Sequence, residues 1–165
     1  INYTSGKQAY GYKGFGDIFV FLFFGLVGVI GTQYLYTHNL ALDGVLLAVA
    51  LGGFSTMVLN LNNMRDLQTD KLAAKNTIPV MLGFTNAKIY HAVLFCISWS
   101  CLLAAVYPYL AWKIVLPFLL VFVFQLVHLV RVIRQNDPKL LDAELKKIAL
   151  STAALSILLF LVEFI

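Results

Sequence analysis

Long apolar runs alternate with polar segments along the whole chain, and they predict five membrane-spanning helices. Each run is close to the roughly 17–25 residues that a helix needs to cross the hydrocarbon core of a bilayer. The runs extend over 18–36, 45–61, 89–106, 114–130 and 148–162. Polar residues do not alternate with apolar ones inside them, and an open sheet edge cannot face lipid, so strands are not expected. The pattern predicts an all-α, polytopic transmembrane helix bundle.

The segments between the runs differ in charge, and this difference predicts an orientation. The connections 37–44 and 107–113 are short and nearly uncharged, whereas 62–88 and 131–147 are long and polar. Eleven of the 12 Lys and Arg residues precede the first run or lie in the two long connections, and Lys113 alone lies on the other side. Loops on the cytoplasmic side carry such an excess of basic residues. We therefore expect the N-terminal segment and both long loops to be cytoplasmic.

The composition agrees with a membrane protein and argues against other classes. Hydrophobic residues make up 61% of the chain and charged residues 12%, about half the fraction of a typical soluble domain. The net charge of +4 does not indicate a nucleic-acid-binding protein, because the basic residues flank the apolar runs and form no stripe with interleaved aromatic residues. Cys96 and Cys101 match no metal-binding or redox spacing, so we interpret them as packing residues.

Small and polar residues inside the runs predict contacts between helices. Gly25, Gly28 and Gly31 recur every third residue in the first run and predict close packing against a neighbouring helix. Polar side chains in the later runs are interpreted as forming packing contacts or interhelical hydrogen bonds: His91, Gln125 and His128.

Three oxygen-bearing side chains at the end of the second run are the main candidates for chemistry. Asn62, Asp66 and Asp70 are spaced four residues apart, which places them on one face of a helix. Two carboxylates in this relation repel each other unless a cation lies between them, and oxygen ligands of this kind suit Mg²⁺. Cations that could neutralise a departing diphosphate lie in the same segment: Arg65, Lys71 and Lys75. The pattern predicts a Mg²⁺ site for a lipid-linked diphosphate.

The segment 62–83 resembles the second aspartate-rich motif of the UbiA superfamily of intramembrane aromatic prenyltransferases. It reads Asn-Asn-Met-Arg-Asp-x-x-x-Asp-x-x-Ala-Ala-Lys-Asn-Thr, followed by Val80-x-x-Gly83. Within the superfamily it is most similar to the menaquinone branch, which typically reads N-N-x-R-D-x-x-x-D-x-x-A-G-K-x-T. Ala74 stands where Gly is usual and Asn76 where Arg is common, while the metal-ligand positions are unchanged.

The N-terminal segment carries a second part of the resemblance. Tyr3-x-x-x-Lys7 fits the superfamily's Y-x-x-x-K element, and residues 10–25 are similar to the segment before the fifth helix of the menaquinone branch. The resemblance implies that Lys7 contacts diphosphate. It also adds candidate substrate-binding residues: Tyr3, Tyr12, Asp17 and Asn63.

The resemblance implies a nine-helix fold of which this chain holds the last five. Residues 1–165 would then be one partial prenyltransferase domain, and the first aspartate-rich motif, N-x-x-x-D-x-x-x-D, would belong to a missing N-terminal half. The implied reaction transfers a polyprenyl group from its diphosphate to 1,4-dihydroxy-2-naphthoate with decarboxylation. Mg²⁺ would be held by Asp66, Asp70 and Asn62, with the two aspartates catalytic. The implied location is the inner membrane of a bacterium, and the fragment alone should be inactive.

Other functions remain open at this point. Another member of the superfamily could use 4-hydroxybenzoate, homogentisate, haem or a glycerol phosphate as acceptor. A transporter or cation channel usually places its ion site near the bilayer midplane on broken helices, whereas these acids lie at the end of a run. A structural membrane subunit would leave the regular spacing of Asn62, Asp66 and Asp70 unexplained.

Overall fold

A computed structural model describes residues 14–109 and 112–162, and every regular element among them is helical. Two 3₁₀ turns, Tyr107–Tyr109 and Pro138–Leu141, follow the fifth and sixth helices. The helices are α1 (Gly16–Thr37), α2 (Leu42–Arg65), α3 (Leu67–Leu72), α4 (Ile78–Leu82), α5 (Phe84–Val106), α6 (Trp112–Arg134) and α7 (Asp142–Val162). The prediction of an all-α, polytopic bundle is confirmed.

Four of the five predicted spans form helices that are long and apolar enough to cross a membrane. Within the described residues these spans are Gly16–Thr37, Leu42–Arg65, Phe84–Tyr109 and Val115–Arg134. The fifth run forms α7, which begins six residues before the apolar run and includes a charged first turn; its crossing of the membrane stays a prediction. Helices extend past the apolar runs because backbone hydrogen bonding does not depend on side-chain polarity.

Helix α2 is the central element of the bundle. In the most apolar stretch of α2, 44% of the residues are buried, whereas in the corresponding stretch of α1 only 6% are buried. Helix α1 therefore lies at the periphery of the described part. Helix α2 packs most extensively against α1 and α5, and it also contacts α7. Phe54 of α2 meets Trp99 of α5 edge to face at 5.6 Å, and Trp99 meets Phe122 of α6 at 5.0 Å. The core therefore lies where α2, α5 and α6 meet.

A close contact between α1 and α2 depends on one glycine of the predicted set. A Cβ on Gly25 would lie 2.5 Å from the Ala48 carbonyl oxygen and 2.8 Å from the Gly52 Cα, so no larger residue fits there without movement of a helix. Among the described residues, a Cβ on Gly31 would meet nothing within 4 Å, and one on Gly28 would meet only a carbonyl of its own helix. Gly28 and Gly31 do not face α2 with Gly25, because Phe21–Ile30 is π-helical, which turns less per residue and points glycines three apart in different directions; their close packing against another helix stays a prediction.

A chain of buried polar side chains joins α2, α5, α6 and α7. Asn60 Nδ2 donates to the Ala87 carbonyl (3.2 Å) and lies 3.4 Å from His91 Nδ1. His91 Nε2 lies 3.3 Å from His128 Nε2, and His128 Nδ1 lies 2.9 Å from Glu144 Oε2. An amide nitrogen can only donate and a carboxylate can only accept, so we assign the proton of His91 to Nε2 and that of His128 to Nδ1. These contacts pair the two imidazoles and the Glu144 carboxylate within the bundle, while Asn60 Oδ1 is buried without a hydrogen-bond partner among the described residues.

A second chain of hydrogen bonds ties α5 to α6 and α7. Trp99 Nε1 donates to Gln125 Oε1 at 3.0 Å, and Gln125 Nε2 donates to Ser151 Oγ at 3.1 Å. Together with the histidine pair, this contact shows that the polar residues predicted to bond between helices do so.

Candidate active site at the end of helix α2

The aspartate-rich segment crosses a break between two helices. The spacing predicted a continuous helix, whereas α2 ends at Arg65 and Asp66 (φ −89°, ψ 11°) joins it to α3. The helical hydrogen-bond pattern nevertheless carries on: Asp66 N donates to the Asn62 carbonyl at 3.0 Å and Asp70 N to the Asp66 carbonyl at 2.8 Å. The three residues therefore keep their four-residue register across the break.

Arg65 binds two of the predicted metal-ligand side chains. Its Nε and Nη2 donate to the two carboxylate oxygens of Asp66 at 2.8 and 2.9 Å, a bidentate arrangement, and Nη2 also donates to Asn62 Oδ1 at 2.9 Å. Its Nη1 donates to Asp142 Oδ1 at 2.9 Å. Arg65 therefore holds the oxygens of the motif in place and fastens the first turn of α7 to them. Asp142 lies 77 residues from Arg65 in sequence, and no sequence pattern marked it.

Asp70 is held by the turn that ends α3. Its side chain is buried, and Lys75 Nζ donates to Oδ1 at 2.9 Å. Lys75 can reach back because Ala74 adopts the left-handed conformation (φ 53°), with Lys75 N donating to the Asp70 carbonyl and Ala74 N to the Lys71 carbonyl. This is a Schellman helix ending, in which glycine is the favoured residue at the position of Ala74. The left-handed conformation at this position thus explains why the motif usually carries glycine there.

Two cavities adjoin the segment. The larger, about 660 Å³, is mostly apolar and is lined by α1, α2 and α7; Asn62 is its lining residue of α2 nearest the aspartates. The smaller, about 300 Å³, is lined mainly by residues with polar or charged side chains, among them Asp66, Lys139 and Asp142. Asn62 therefore borders the apolar cavity and Asp66 borders the charged cleft, whereas Asp70 lines neither.

The remaining predicted residues occupy different positions. Lys71 is exposed, and Asn63 is buried one position beyond Asn62, about 100° further round α2. Asp17 is buried in the first turn of α1 and accepts a hydrogen bond from the Tyr90 hydroxyl at 3.2 Å. Three further candidates lie outside the described residues: Tyr3, Lys7 and Tyr12.

The start of α1 approaches the segment that follows the aspartates. Gly14 has φ 81°, and a Cβ there would lie 2.8 Å from both the Asn76 carbonyl oxygen and the end of the Met81 side chain. The backbone just before α1 is thus packed against the residues that lead from α3 into α4.

The model of the UbiA prenyltransferase family matches residues 2–161. The chain belongs to this family. The resemblance inferred from the aspartate-rich motif is confirmed.

Relatives within the family point to one branch. The chain is 45% identical over 113 residues to the 1,4-dihydroxy-2-naphthoate octaprenyltransferase of Haemophilus influenzae, covering 68% of this chain and 37% of that protein. It is 48% identical over 102 residues to the Escherichia coli protein of the same name, covering 62% and 33%. It is 29% identical over 94 residues to the human UbiA prenyltransferase domain-containing protein 1, covering 56% and 28%. The chain thus spans about a third of the length of these relatives. No solved structure matches it.

The oxygen donors of this UbiA chain suit a hard divalent cation. Asp66, Asp70 and Asn62 supply carboxylate and amide oxygens, but no group of three or more His, Cys, Asp or Glu in the described ranges is arranged to hold a metal ion. Mg²⁺ commonly binds through one or two carboxylates together with waters and substrate phosphates. Two aspartates are therefore a sufficient protein contribution to such an ion.

Proposed function

We propose that the protein containing this chain is a Mg²⁺-dependent prenyltransferase of menaquinone synthesis. It would transfer a polyprenyl group from polyprenyl diphosphate to 1,4-dihydroxy-2-naphthoate. The observation that carries the proposal is the set of Asn62, Asp66 and Asp70, with Arg65 and Lys75 bound to it, in which Asn62 borders an apolar cavity and Asp66 a charged cleft. The printed names of the bacterial relatives support the choice of acceptor.

The charged residues of the segment suit a diphosphate. Asp66, Asp70 and Asn62 would hold Mg²⁺, which when bound neutralises negative charge on the diphosphate oxygens. Arg65 pairs with Asp66 and Lys75 with Asp70, and exposed Lys71 is nearby in sequence, so these three cations would neutralise the leaving group once Mg²⁺ and diphosphate bind. Lys7 would add to this set.

The apolar cavity suits the isoprenoid tail. Its walls include Val20 and Phe24 of α1 and Val58 and Leu59 of α2. Burial of the tail there removes apolar surface from water, at roughly 25 cal/mol per Å². The Phe24 ring lines the same cavity and could stabilise an allylic cation through its π face.

The chemistry divides into loss of diphosphate and attack by the ring. The allylic C–O bond breaks, and its electron pair leaves with the diphosphate, whose charge the cations stabilise. The carbon of the naphthoate ring that carries the carboxyl group forms the new C–C bond. Loss of that carboxyl as carbon dioxide restores the aromatic ring and gives demethylmenaquinone in its quinol form. Asp17, Asn63, Tyr3 and Tyr12 remain candidates for contacts with substrate.

The remaining half of the site would come from the same protein. The first aspartate-rich motif would lie in an N-terminal half, and the present chain alone would be inactive. The basic loops indicate that the aspartate-rich segment faces the cytoplasm, and the bacterial relatives favour the inner membrane of a bacterium.

The test uses the full-length protein in membranes with Mg²⁺ and a long polyprenyl diphosphate. Separate reactions contain 1,4-dihydroxy-2-naphthoate, 4-hydroxybenzoate or homogentisate, and the prenylated product is detected by mass. We expect product with dihydroxynaphthoate and none from the Asp66→Asn, Asp70→Asn double variant. Asp137→Asn is the matched control, because Asp137 caps the 3₁₀ turn Pro138–Leu141 and Asn caps equally well.

Each alternative result has a separate meaning. Product with a different acceptor would keep the chemistry and overturn the branch. Normal turnover by the double variant would overturn the role of the aspartates. Absence of product with every acceptor, from a folded protein, would overturn the proposed function.

A further inference from the structure

A groove between α6 and α7 lies apart from the proposed active site. Two adjoining cavities of about 320 and 350 Å³ share Leu120, Phe124 and Lys147 among their lining residues, so they form one continuous groove. Helix α7 presents positions 147, 150, 151 and 154 to this groove, whereas positions 145, 149, 152, 153 and 156 line the cavity that includes Asn62. The groove therefore uses a different face of α7.

One end of the groove is positively charged. Arg131 and Lys147 line it, and both lie within reach of one carboxylate, since Glu144 Oε1 is 2.5 Å from Lys147 Nζ and 3.6 Å from Arg131 Nη1. Two cations share one carboxylate, so an excess of one positive charge remains. The Arg131 side chain is 56% exposed and can turn toward a ligand.

Glu144 keeps its charge and so holds this end of the groove in place. Burial alone would raise the pKa of its carboxyl, but hydrogen bonds from Lys147 and His128 outweigh burial and hold that pKa below its ordinary value. His128 also lines the groove and is itself fixed by His91. The positions of the two cations are thereby set by a buried network that reaches the centre of the bundle.

The rest of the groove is apolar and open. Leu120 is 62% exposed and Leu150 is 71% exposed, and Phe124 and Ala154 complete the walls. A ligand that fills the groove must combine a negative head with a hydrocarbon chain.

We propose that this groove binds an anionic phospholipid, with its phosphate on Arg131 and Lys147 and an acyl chain along Leu120, Phe124 and Leu150. Charge complementarity favours an anionic lipid, whose negative headgroup balances the excess positive charge of the groove. A zwitterionic headgroup has no net charge and would leave that excess unbalanced. Basic sites between transmembrane helices recognise anionic headgroups by this combination of charge and apolar surface. The lipid would bind to the outer side of α7 and leave the proposed active site free.

The test measures lipid retained by the full-length protein. The protein is reconstituted in vesicles of phosphatidylcholine alone or of phosphatidylcholine with phosphatidylglycerol and is then extracted in detergent. Native mass spectrometry identifies the lipid that stays bound to the protein. We expect retained phosphatidylglycerol and little phosphatidylcholine. Arg131→Gln with Lys147→Gln should lower retention about thirtyfold, whereas Arg134→Gln with Lys146→Gln, which removes the same charge outside the groove, should leave it unchanged.

A second variant tests the apolar part without altering charge. Ala154→Trp fills the groove and should also reduce retention, which keeps the proposal testable if the charge variant does not fold. Excess inorganic phosphate should not displace the lipid, because phosphate lacks the acyl chain. Any one of four results would overturn the proposal. These are equal retention of both lipids, equal loss of lipid in the control pair, full retention by Ala154→Trp, and displacement of the lipid by phosphate.

Discussion

Replacing Ala74 by glycine should stabilise the end of α3, whereas the same change one residue earlier should weaken it. Ala74 has φ 53°, and a residue with a Cβ loses about 1–2 kcal/mol in this region. Glycine removes that strain but adds about 0.5–1 kcal/mol of conformational entropy loss on folding. The net gain for Ala74→Gly is therefore about 0.5–1 kcal/mol.

The neighbouring alanine is a matched control. Ala73 is also exposed but has φ −82° and ψ 7°, which alanine adopts without strain. Ala73→Gly should therefore cost about 0.5–1 kcal/mol. The two substitutions make the same chemical change and should have effects of opposite sign.

The assay follows amide hydrogen exchange in the full-length protein. The N–H groups of Ala74 and Lys75 donate to the Lys71 and Asp70 carbonyls at 3.2 and 3.0 Å, so their exchange reports opening of this turn. After correction for intrinsic rates, 1 kcal/mol corresponds to about a fivefold change in exchange. Slower exchange in Ala74→Gly and faster exchange in Ala73→Gly are expected. Effects of the same sign in both variants would refute the conformational argument.

Further predictions concern the bundle and the metal. Gly25→Ala should destabilise the protein by about 1–2 kcal/mol in SDS-induced unfolding, because backbone atoms block the new Cβ, while Gly31→Ala should be neutral or slightly stabilising; equal effects would contradict this packing. Gln125→Leu should cost about 1 kcal/mol by leaving the Trp99 N–H unpaired, and adding Trp99→Phe should recover part of that loss in a double-mutant cycle. Glu144 has a lowered pKa, so its contribution to stability is complete above its ordinary pKa of 4.5 and is lost as pH falls through the lower folded-state value. Glu144→Gln should therefore reduce the loss of stability at acid pH. An unchanged acid dependence in this variant would contradict the role of the Glu144 carboxylate. EDTA should abolish product formation and Mg²⁺ restore it, whereas chelator-resistant turnover would exclude the metal role.

Much of the candidate site could be predicted because its residues are neighbours in sequence. Asn62, Asp66 and Asp70 follow a four-residue period, and backbone hydrogen bonds preserve that register even across the break at Asp66. Their assignment as metal ligands stays a prediction, as do the roles of Tyr3, Lys7 and Tyr12 outside the described residues. The spacing could not reveal that Arg65 holds two of the three oxygen ligands, since that depends on rotamers.

The contacts between helices were harder to predict. His91 and His128 stood out as polar residues in apolar runs, which marks them as buried but names no partner. Glu144 lies in a charged loop segment where solvent is the expected neighbour, and only the packing of α6 on α7 brings it to His128. The spacing of the three glycines predicted one common face, whereas the π-helical stretch Phe21–Ile30 turns them in different directions and brings only Gly25 of the three against α2 in the described part of the chain.

The sequence by itself determined the five long helices, their apolar lengths and the position of the aspartate-rich segment, because these depend on local hydrogen bonding and on residues within one or two turns; it did not reveal α3, α4 or the break at Asp66. Tertiary structure decided which helix faces meet. It paired Arg65 with Asp142 across 77 residues, joined His128 to Glu144, and placed Asn62 at an apolar cavity between α1, α2 and α7. Apolar side chains on a membrane helix can satisfy several packings, whereas a charge or buried hydrogen-bonding group finds its partner only in one of them.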